Sequence, residues 1–133
     1  MFRFFHAPLS PFCRKVRLVL SEKKLEFELI EEKYWEKRED FLALNPFGQV
    51  PVLQNSEITL AESSAICEYL NEKFPDPELL PNNIEERAEV RRLVSWFDDK
   101  FNREVTQKLV YERITKKIIG KGFPEAKNVK VGM

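Results

Sequence analysis

The chain has 133 residues, which is within the usual range of a single domain. Its 22 basic and 22 acidic residues cancel, so no excess of positive charge predicts binding to nucleic acid. Hydrophobic residues make up 43% of the chain, but no apolar run approaches the roughly 18 residues of a membrane-spanning helix. The N-terminus lacks the organisation of a signal peptide, and Cys13 and Cys67 are too few for a disulfide framework. These features predict a reduced, cytoplasmic protein with no membrane or nucleic-acid partner.

The first two elements are predicted to be a strand and a helix. Phe2 to Ala7 is rich in aromatic residues, which are enriched in strands, and Ser10 then opens a helix. Serine is a favoured N-cap, and Pro11 suits the first helical position because its missing N–H would have had no helical partner. The helix is expected to bury one face, since apolar residues follow at helical spacing: Phe12, Val16, Val19 and Leu20.

The next segments continue an alternation of strands and helices. Phe27 to Glu31 alternates apolar and polar residues, which predicts a half-buried strand, and residues 34–44 have an irregular helical pattern. A strand is predicted around Pro51, a second one from Ile58 to Leu60, and a helix from about Ser63 to Phe74. Periodicity alone therefore supports an α/β domain.

The last third of the chain has a different pattern. Residues 75–81 form a proline-rich connector, and residues 84–119 contain neither proline nor glycine. Within that stretch Val90, Val94, Phe97, Phe101 and Val105 recur every three or four residues, which predicts one long amphipathic helix, or two that are broken near Tyr111. Gly120, Gly122 and Pro124 are predicted to end it, before a loose tail. The predicted organisation is a domain at 1–74, a linker at 75–83 and a helical region at 84–133.

One short stretch, residues 45–53, contains the strongest local signals. Asn45 before Pro46 favours a turn, and Gly48 can adopt a positive φ without steric cost. The apolar run that follows includes Pro51, and a proline in such a run indicates an edge strand, a strand start or a bulge.

This stretch, Asn-Pro-x-Gly-x-Val-Pro-x-Leu, together with Leu60 to Ile66, resembles the glutathione-binding core of the glutathione transferases. The resemblance covers residues 1 to about 110. It implies a thioredoxin-like βαβαββα domain followed by the start of an all-helical domain that is incomplete here. It also implies a cis bond before Pro51, which would turn the N–H and C=O of Val50 outward to pair with the backbone of glutathione.

The resemblance assigns a catalytic role to Ser10. Serine-type transferases have their thiol-activating serine at this position, where the positive end of the helix dipole favours a thiolate. Considered without the family, Ser10 is better explained as a helix cap. Cys13 falls where glutaredoxins have their second thiol; the open alternatives are a buried core residue and a thiol that forms a mixed disulfide with glutathione.

Two further positions match the family's contacts to the ends of glutathione. Glu62 and Ser63 correspond to the acidic-serine pair that holds the γ-glutamyl end, and Gln49 is the candidate for the glycyl carboxylate. Without the family, Glu62 and Ser63 are explained by helix capping alone. His6 is the only histidine, so neither a serine–histidine hydrolase nor a histidine metal site is predicted.

The resemblance implies a glutathione S-transferase of the serine type, similar to bacterial members. Glutathione would be the co-substrate and a small electrophile the acceptor, in a homodimer without a bound metal or prosthetic group. Two alternatives stay open: a glutathione-dependent isomerase or thiol oxidoreductase, and a non-catalytic protein-binding module that resembles stringent starvation protein A. The incomplete helical domain favours the last, whereas the presence of Ser10, Val50, Pro51, Glu62 and Ser63 disfavours it.

Overall fold

A computed structural model describes the backbone of residues 1–115 and the side chains of residues 1–109. It divides into two compact units, Met1–Leu79 and the chain from Leu80 onward. The first unit has the predicted thioredoxin-like α/β order, so the fold prediction is confirmed. The elements are β1 Phe2–His6, α1 Pro11–Glu22, β2 Phe27–Glu31, a 3₁₀ turn Tyr34–Glu36, α2 Glu39–Leu44, β3 Val52–Gln54, β4 Thr59–Ala61, α3 Ser63–Lys73 and, in the second unit, α4 Ile84–Ser95.

The four strands form one mixed sheet in the order β2-β1-β3-β4. β1 runs parallel to β2 and antiparallel to β3, and β4 is antiparallel to β3. Successive side chains of a strand point to opposite faces of the sheet. Phe2 contacts Phe74, just after α3, whereas Phe5 contacts Phe41 of α2, each at a ring-centroid distance of 6.1 Å. Helices α3 and α2 therefore cover opposite faces, and α1 packs beside α3.

The core of the first unit lies between the sheet and these helices. Its fully buried side chains come from β1, α1, α2, β3 and α3, and they are Phe4, Cys13, Val16, Leu20, Phe41, Val52, Leu53, Ile66 and Leu70. Helix α1 buries Cys13 in place of the expected Phe12, which is only half-buried. The aromatic side chain is thereby left at the surface near the start of α1.

Pro51 lies at the start of a strand, which is one of the three placements that the sequence left open. β3 begins one residue after Pro51 and lies between β1 and β4, so the edge placement does not apply. Because Pro51 stands outside the ladder, its missing N–H removes no sheet hydrogen bond. The Val50–Pro51 peptide bond is cis, as the resemblance implied, and the Asp76–Pro77 bond is cis as well.

A buried lysine closes the end of α1. Lys23 is 6% exposed, and its ammonium donates to the side-chain oxygen of Asn71 at 2.8 Å and to the carbonyl of Phe74 at 2.6 Å. It also donates to the carbonyl of Pro77. An ammonium has three donors, so these acceptors satisfy it completely. Lys23 thus ties the C-terminal end of α1 to the end of α3 and the segment that follows.

The second unit is a helix whose geometry changes along its length. Asn83 caps α4, because its side-chain oxygen accepts a hydrogen bond from the N–H of Glu86 at 3.0 Å. At Trp96 the helix widens and continues as a π-helix, with bonds between residues five apart, over Trp96–Thr115. The helix continues past Tyr111, as in the alternative of one long helix. The predicted end at Gly120, Gly122 and Pro124 lies outside the described residues.

Large apolar side chains are exposed along this helix. Trp96, Phe97 and Phe101 contact one another at ring-centroid distances of 4.9 to 5.8 Å, and Phe97 is 54% exposed. Ion pairs between Lys100 and Glu104 and between Arg103 and Asp99 lie elsewhere along it. Of the helices that the structure describes, none is both long enough and apolar enough to cross a membrane.

Candidate functional site

A pocket of about 300 Å³ lies on the first unit. It is formed by the start of α1, the loop before β3, the end of β4 and the start of α3, and its lining residues are Phe12, Asn45, Phe47, Gln49, Val50, Pro51, Ala61, Glu62 and Ser63. The five residues expected to bind glutathione thus line one cavity, although they come from two separate segments. Ser10 and Cys13 are not among the lining residues; Ser10 lies two positions before Phe12, which is.

The loop at one side of the pocket is held together by Asn45. Its side-chain oxygen accepts a hydrogen bond from the N–H of Phe47 at 3.2 Å, and its side-chain nitrogen donates to the carbonyl of Gln49 at 2.8 Å. The backbone carbonyl of Asn45 also accepts from the N–H of Gly48 at 2.8 Å. Gly48 has φ +66°, a conformation that favours glycine. The turn predicted from Asn45 and Gly48 therefore forms, with Asn45 as its centre.

Val50 offers open backbone groups beside the pocket. Its N–H and C=O form no hydrogen bond with any residue in the described part of the chain, although Val50 is only 9% exposed. Buried backbone groups are nearly always paired. A donor and an acceptor on one residue can pair with an extended peptide in the manner of an added strand. The geometry at Val50 therefore suits a short peptide ligand.

Glu62 and Ser63 form the opposite side of the pocket, where α3 begins. Ser63 is 2% exposed. Glu62 is exposed and caps α3, since one of its carboxylate oxygens accepts from the N–H of Ala65 at 3.1 Å. Its φ is +79°, a strained value for a residue other than glycine, and such residues often occur at functional sites. The second carboxylate oxygen remains available for a cationic group, next to a helix N-terminus that favours an anion.

A lysine from α1 lies at the same end of α3. The ammonium of Lys15 donates to the hydroxyl of Ser64 at 3.2 Å. Neither Lys15 nor Ser64 lines the pocket, but the start of α3 thus combines a carboxylate, a nearby ammonium and the first N–H groups of a helix. Such a combination suits a ligand that carries both an ammonium and a carboxylate, as an amino acid does.

Ser10 caps α1 as the sequence indicated. Its Oγ accepts a hydrogen bond from the N–H of Cys13 at 3.2 Å, and its own N–H donates to the carbonyl of Ala7 at 3.1 Å. A hydroxyl can accept two hydrogen bonds and still donate one. Capping and donation to a ligand are therefore compatible in the same serine.

Cys13 and His6 are both buried behind the start of α1. Cys13 is 1% exposed, and burial raises the pKa of its thiol despite the opposing effect of the hydrogen bond with Ser10. Burial likewise lowers the pKa of His6, whose Nδ1 has no partner among the described residues. Both side chains are therefore held in their neutral forms. No cluster of three or more metal-ligating side chains occurs within the described residues.

Three lining residues were not predicted from the sequence as parts of the site: Phe12, Asn45 and Phe47. Asn45 and Phe47 belong to the recognised motif, so proximity to Gln49 and Val50 was a usable signal for them. Phe12 was assigned to the buried face of α1 by its spacing. Only the actual rotation of α1, which buries Cys13, shows that Phe12 lines the pocket.

Comparison with known proteins gives a consistent result. Residues 9–73 match the family model "Glutathione S-transferase, N-terminal domain". A crystal structure of a glutathione S-transferase from Rhodospirillum rubrum superposes with a TM-score of 0.95 and 50% identity, over 99% of this chain and 60% of that one.

Two curated relatives carry names other than transferase. FtsZ-localized protein A of Caulobacter vibrioides is 40% identical over 131 residues, which cover 96% of this chain and 58% of the relative. A stringent starvation protein A homolog of Coxiella burnetii is 34% identical over 97 residues, or 73% of this chain and 46% of the relative.

The chain therefore spans about half the length of these two relatives. The segment that forms the pocket lies within the match to the family model. The fold, the cis bond before Pro51 and the sequence motif agree with that match. Residues 9–73 therefore form an N-terminal domain of the glutathione S-transferase family.

Proposed function

We propose that this protein binds glutathione in the pocket of its first unit and activates the thiol for conjugation to a small electrophile. The observation that carries the proposal is the convergence of Gln49, Val50, Pro51, Glu62 and Ser63 on one cavity. Its volume of about 300 Å³ is at the lower end of the range of small-molecule sites, which suits a tripeptide whose thiol stays accessible.

The γ-glutamyl end of glutathione is assigned to the start of α3. Its α-carboxylate would accept hydrogen bonds from the N–H and hydroxyl of Ser63, and its ammonium would pair with the carboxylate oxygen of Glu62 that does not cap the helix. The cysteinyl backbone would pair with the open N–H and C=O of Val50, and Gln49 would contact the glycyl carboxylate. Support for this orientation is that Glu62, the one carboxylate among the described residues that line the pocket, lies at the α3 end.

Ser10 is the proposed catalytic residue. Its hydroxyl would donate a hydrogen bond to the thiolate of glutathione at the N-terminal end of α1, where the helix dipole also stabilises negative charge. A lowering of the bound thiol's pKa by about two corresponds to about 2.7 kcal/mol of stabilisation. Support comes from its bond to the N–H of Cys13, in which Ser10 is the acceptor, so that capping α1 does not itself use the hydroxyl hydrogen.

The thiolate absorbance of the glutathione complex, titrated against pH in the ultraviolet, tests the role of Ser10. Ser10→Ala should raise the pKa of the bound thiol and barely change the affinity for glutathione, because the γ-glutamyl contacts remain. Ser10→Cys should lose transferase activity and gain thiol–disulfide exchange activity, since a cysteine at the N-terminus of a helix has a lowered pKa. Identical titrations of wild type and Ser10→Ala would leave Ser10 as a helix cap only.

Calorimetric titration with glutathione tests the binding site separately. Ser63→Ala should weaken binding by about 1–3 kcal/mol, the cost of a lost charge-assisted hydrogen bond. Glu62→Asn is the sharper variant for the ammonium contact: asparagine tolerates a positive φ and can still cap α3, but it carries no charge. Wild-type affinity in both variants would remove these residues from the site.

The thiol oxidoreductase alternative receives less support than the transferase. It requires a reactive Cys13, but that thiol is 1% exposed and burial raises its pKa. Reactive cysteines are instead accessible and have lowered pKa values. The isomerase alternative uses the same glutathione pocket, so it differs from the transferase only in the second substrate.

A second candidate function is protein binding without catalysis. It is supported by the 40% identity to FtsZ-localized protein A and by the similarity to a stringent starvation protein A homolog. The partner in the first case would be an FtsZ-type protein. Co-sedimentation with polymerised FtsZ, for wild type and for Ser63→Ala, tests it: co-sedimentation that is insensitive to glutathione and to Ser63→Ala would favour this function over the transferase.

The remaining parts of the proposal concern organisation. We assign glutathione binding to residues 1–74, a linker to 75–83 and the start of a helical domain to 84–133, in a cytoplasmic homodimer. The exposed Phe97 and Phe101 support a self-association surface on the helix. Glutathione enters as a co-substrate, and no bound prosthetic group is part of the proposed reaction.

A further inference from the structure

Both ends of the side-chain amide of Asn45 are hydrogen-bonded, although no part of the proposed reaction uses this residue. Asn45 is 5% exposed and lines the pocket. Its side-chain oxygen accepts from the N–H of Phe47, and its side-chain nitrogen donates to the carbonyl of Gln49. Both ends of one amide therefore act on the same five-residue loop. A buried amide with these bonds is costly to replace by a group that makes only one of them.

The bond to Gln49 fixes the direction of a neighbouring donor. The carbonyl of Gln49 and the N–H of Val50 belong to one peptide unit, and that unit is trans, since the cis bonds in the first unit are those before Pro51 and Pro77. In a trans unit the C=O and N–H bonds point in opposite directions. Because Asn45 holds the carbonyl of Gln49 on its own side, the N–H of Val50 points the other way.

We propose that Asn45 is a positioning residue that presets the N–H of Val50 for the peptide backbone of the ligand. The inference rests on the proposed function, since it names what orients one of the groups assigned to glutathione. The proposal explains two observations together. The side chain of Asn45 is buried with two hydrogen bonds, and the N–H of Val50 has none; Asn45 holds the carbonyl of Gln49 so that the N–H of Val50 stays available to the ligand. Preorganisation of this kind increases affinity, because the loop does not have to be ordered on binding.

Two substitutions separate the bonds of Asn45. Asn45→Ala removes both side-chain bonds, whereas Asn45→Asp keeps an acceptor for the N–H of Phe47 but places an oxygen against the carbonyl of Gln49. The turn itself survives in both, since the bond from the N–H of Gly48 to the carbonyl of residue 45 is a backbone bond. We expect each variant to bind glutathione at least about tenfold more weakly in calorimetric titration, which corresponds to about 1.4 kcal/mol.

Asn55→Ala is the matched control. The side-chain oxygen of Asn55 accepts from the N–H groups of Glu57 and Ile58, both at 2.9 Å, in the turn between β3 and β4. The Asn55→Ala variant therefore also loses two hydrogen bonds between a side chain and a turn, but this turn does not line the pocket. Its melting temperature should fall about as much as that of Asn45→Ala, while its affinity for glutathione should stay within about twofold of wild type.

The orientation of the Val50 N–H is measured directly by its residual dipolar coupling in the ligand-free protein. It should change in both Asn45 variants and stay as in wild type in Asn55→Ala. If the coupling of the Val50 N–H is unchanged in the Asn45 variants, the proposal is overturned, whatever their affinities for glutathione. If the coupling changes but the affinity for glutathione stays at the wild-type value, Asn45 orients Val50 without contributing to ligand binding, and the proposal is overturned as well. If wild type does not bind glutathione, the proposed function is wrong, and the coupling alone still decides whether Asn45 orients Val50.

Discussion

The first unit, which contains the pocket, and the helix of the second unit differ in how far their apolar side chains are buried. In the first unit a core of apolar side chains is enclosed, with Phe4 and Leu53 both 0% exposed, although single apolar residues such as Leu18 and Phe47 are exposed. The loop around the pocket is held by the side chain of Asn45. Along the second helix Phe97 and Phe101 are 54% and 37% exposed. The first unit therefore has an enclosed apolar core, whereas α4 in the second unit buries none of its residues.

The difference teaches where each region obtains its stability. Burial of apolar surface contributes about 25 cal/mol per Å², so the enclosed core of the first unit stabilises it from within. A helix with an exposed apolar face gains little from that face until something covers it. Perturbations inside the first unit should therefore change its free energy of unfolding, and perturbations on the face of the second helix should change association instead.

The largest expected effect comes from Lys23. Lys23→Ala would leave the side chain of Asn71 and the carbonyls of Phe74 and Pro77 without their common donor. Hydrogen bonds from a charged donor contribute about 1.5–3 kcal/mol each. Since Asn71 keeps its bond from the N–H of Leu79 and Pro77 is exposed, we expect a total loss of about 3 kcal/mol in the free energy of unfolding by urea. Lys73 is the control: its ion pair with Glu57, at 3.5 Å, is exposed, and Lys73→Ala should cost less than about 0.5 kcal/mol. Equal losses in both variants would contradict the assigned role.

Lys23 also marks a limit of prediction from sequence. The start of α1 at Ser10 and Pro11 and the range of β2 were predictable, because capping and alternation are local signals. The burial of Lys23 depends on acceptors about fifty positions away, and no local pattern reveals them. The central position of β3 is likewise a result of strand pairing, so Pro51 alone could not distinguish an edge strand from a strand start or a bulge. The change from α-helix to π-helix at Trp96 was not predictable either, because no glycine or proline lies there.

The site shows the same division. Gln49, Val50, Glu62 and Ser63 were predictable because they lie in short motifs that resemble a known binding core. The role of Asn45 and the open backbone of Val50 became visible only from hydrogen bonds across the loop. Motifs identify which segments meet; they do not show which groups remain unpaired once the segments have met.

The next largest effect is expected at Gly48, in the loop beside the pocket. Gly48→Ala would place a side chain at φ +66° and bring its Cβ to 3.0 Å from Cδ2 of Leu42. Backbone strain of this kind costs about 1–3 kcal/mol, and we expect about 2 kcal/mol by urea unfolding. Repeating the substitution in a Leu42→Ala background removes the contact but keeps the backbone strain. A cost that disappears completely in that background would show that the close contact, and not φ, is responsible.

A smaller and pH-dependent effect is expected from Cys13. Burial raises the pKa of its thiol in the folded protein, so the unfolded chain loses this proton at a lower pH. The protonated thiol of Cys13 therefore makes its full contribution to the free energy of unfolding below the ordinary thiol pKa. This contribution is lost as the pH rises through the pKa of Cys13 in the folded protein. Above about pH 8.5 wild type should lose up to about 1.4 kcal/mol per pH unit from this group. That slope should be reduced in Cys13→Ala and retained in Cys67→Ala, whose thiol is only half-buried; the same slope in all three proteins would exclude Cys13 as its source.

The smallest effect on unfolding, and the sharpest test of the comparison, is expected at Phe97. This side chain is 54% exposed and contacts Trp96 and Phe101, so Phe97→Gln should change the free energy of unfolding by less than about 0.5 kcal/mol at low protein concentration. Sedimentation velocity should nevertheless show wild type self-associating in the micromolar range and Phe97→Gln associating more weakly. Lys100→Gln, which alters an exposed ion pair with Glu104, is the control and should associate like wild type. A wild-type chain that stays monomeric throughout that range would mean that the exposed apolar face does not drive association, and the contrast between the two regions would then rest on the first unit alone.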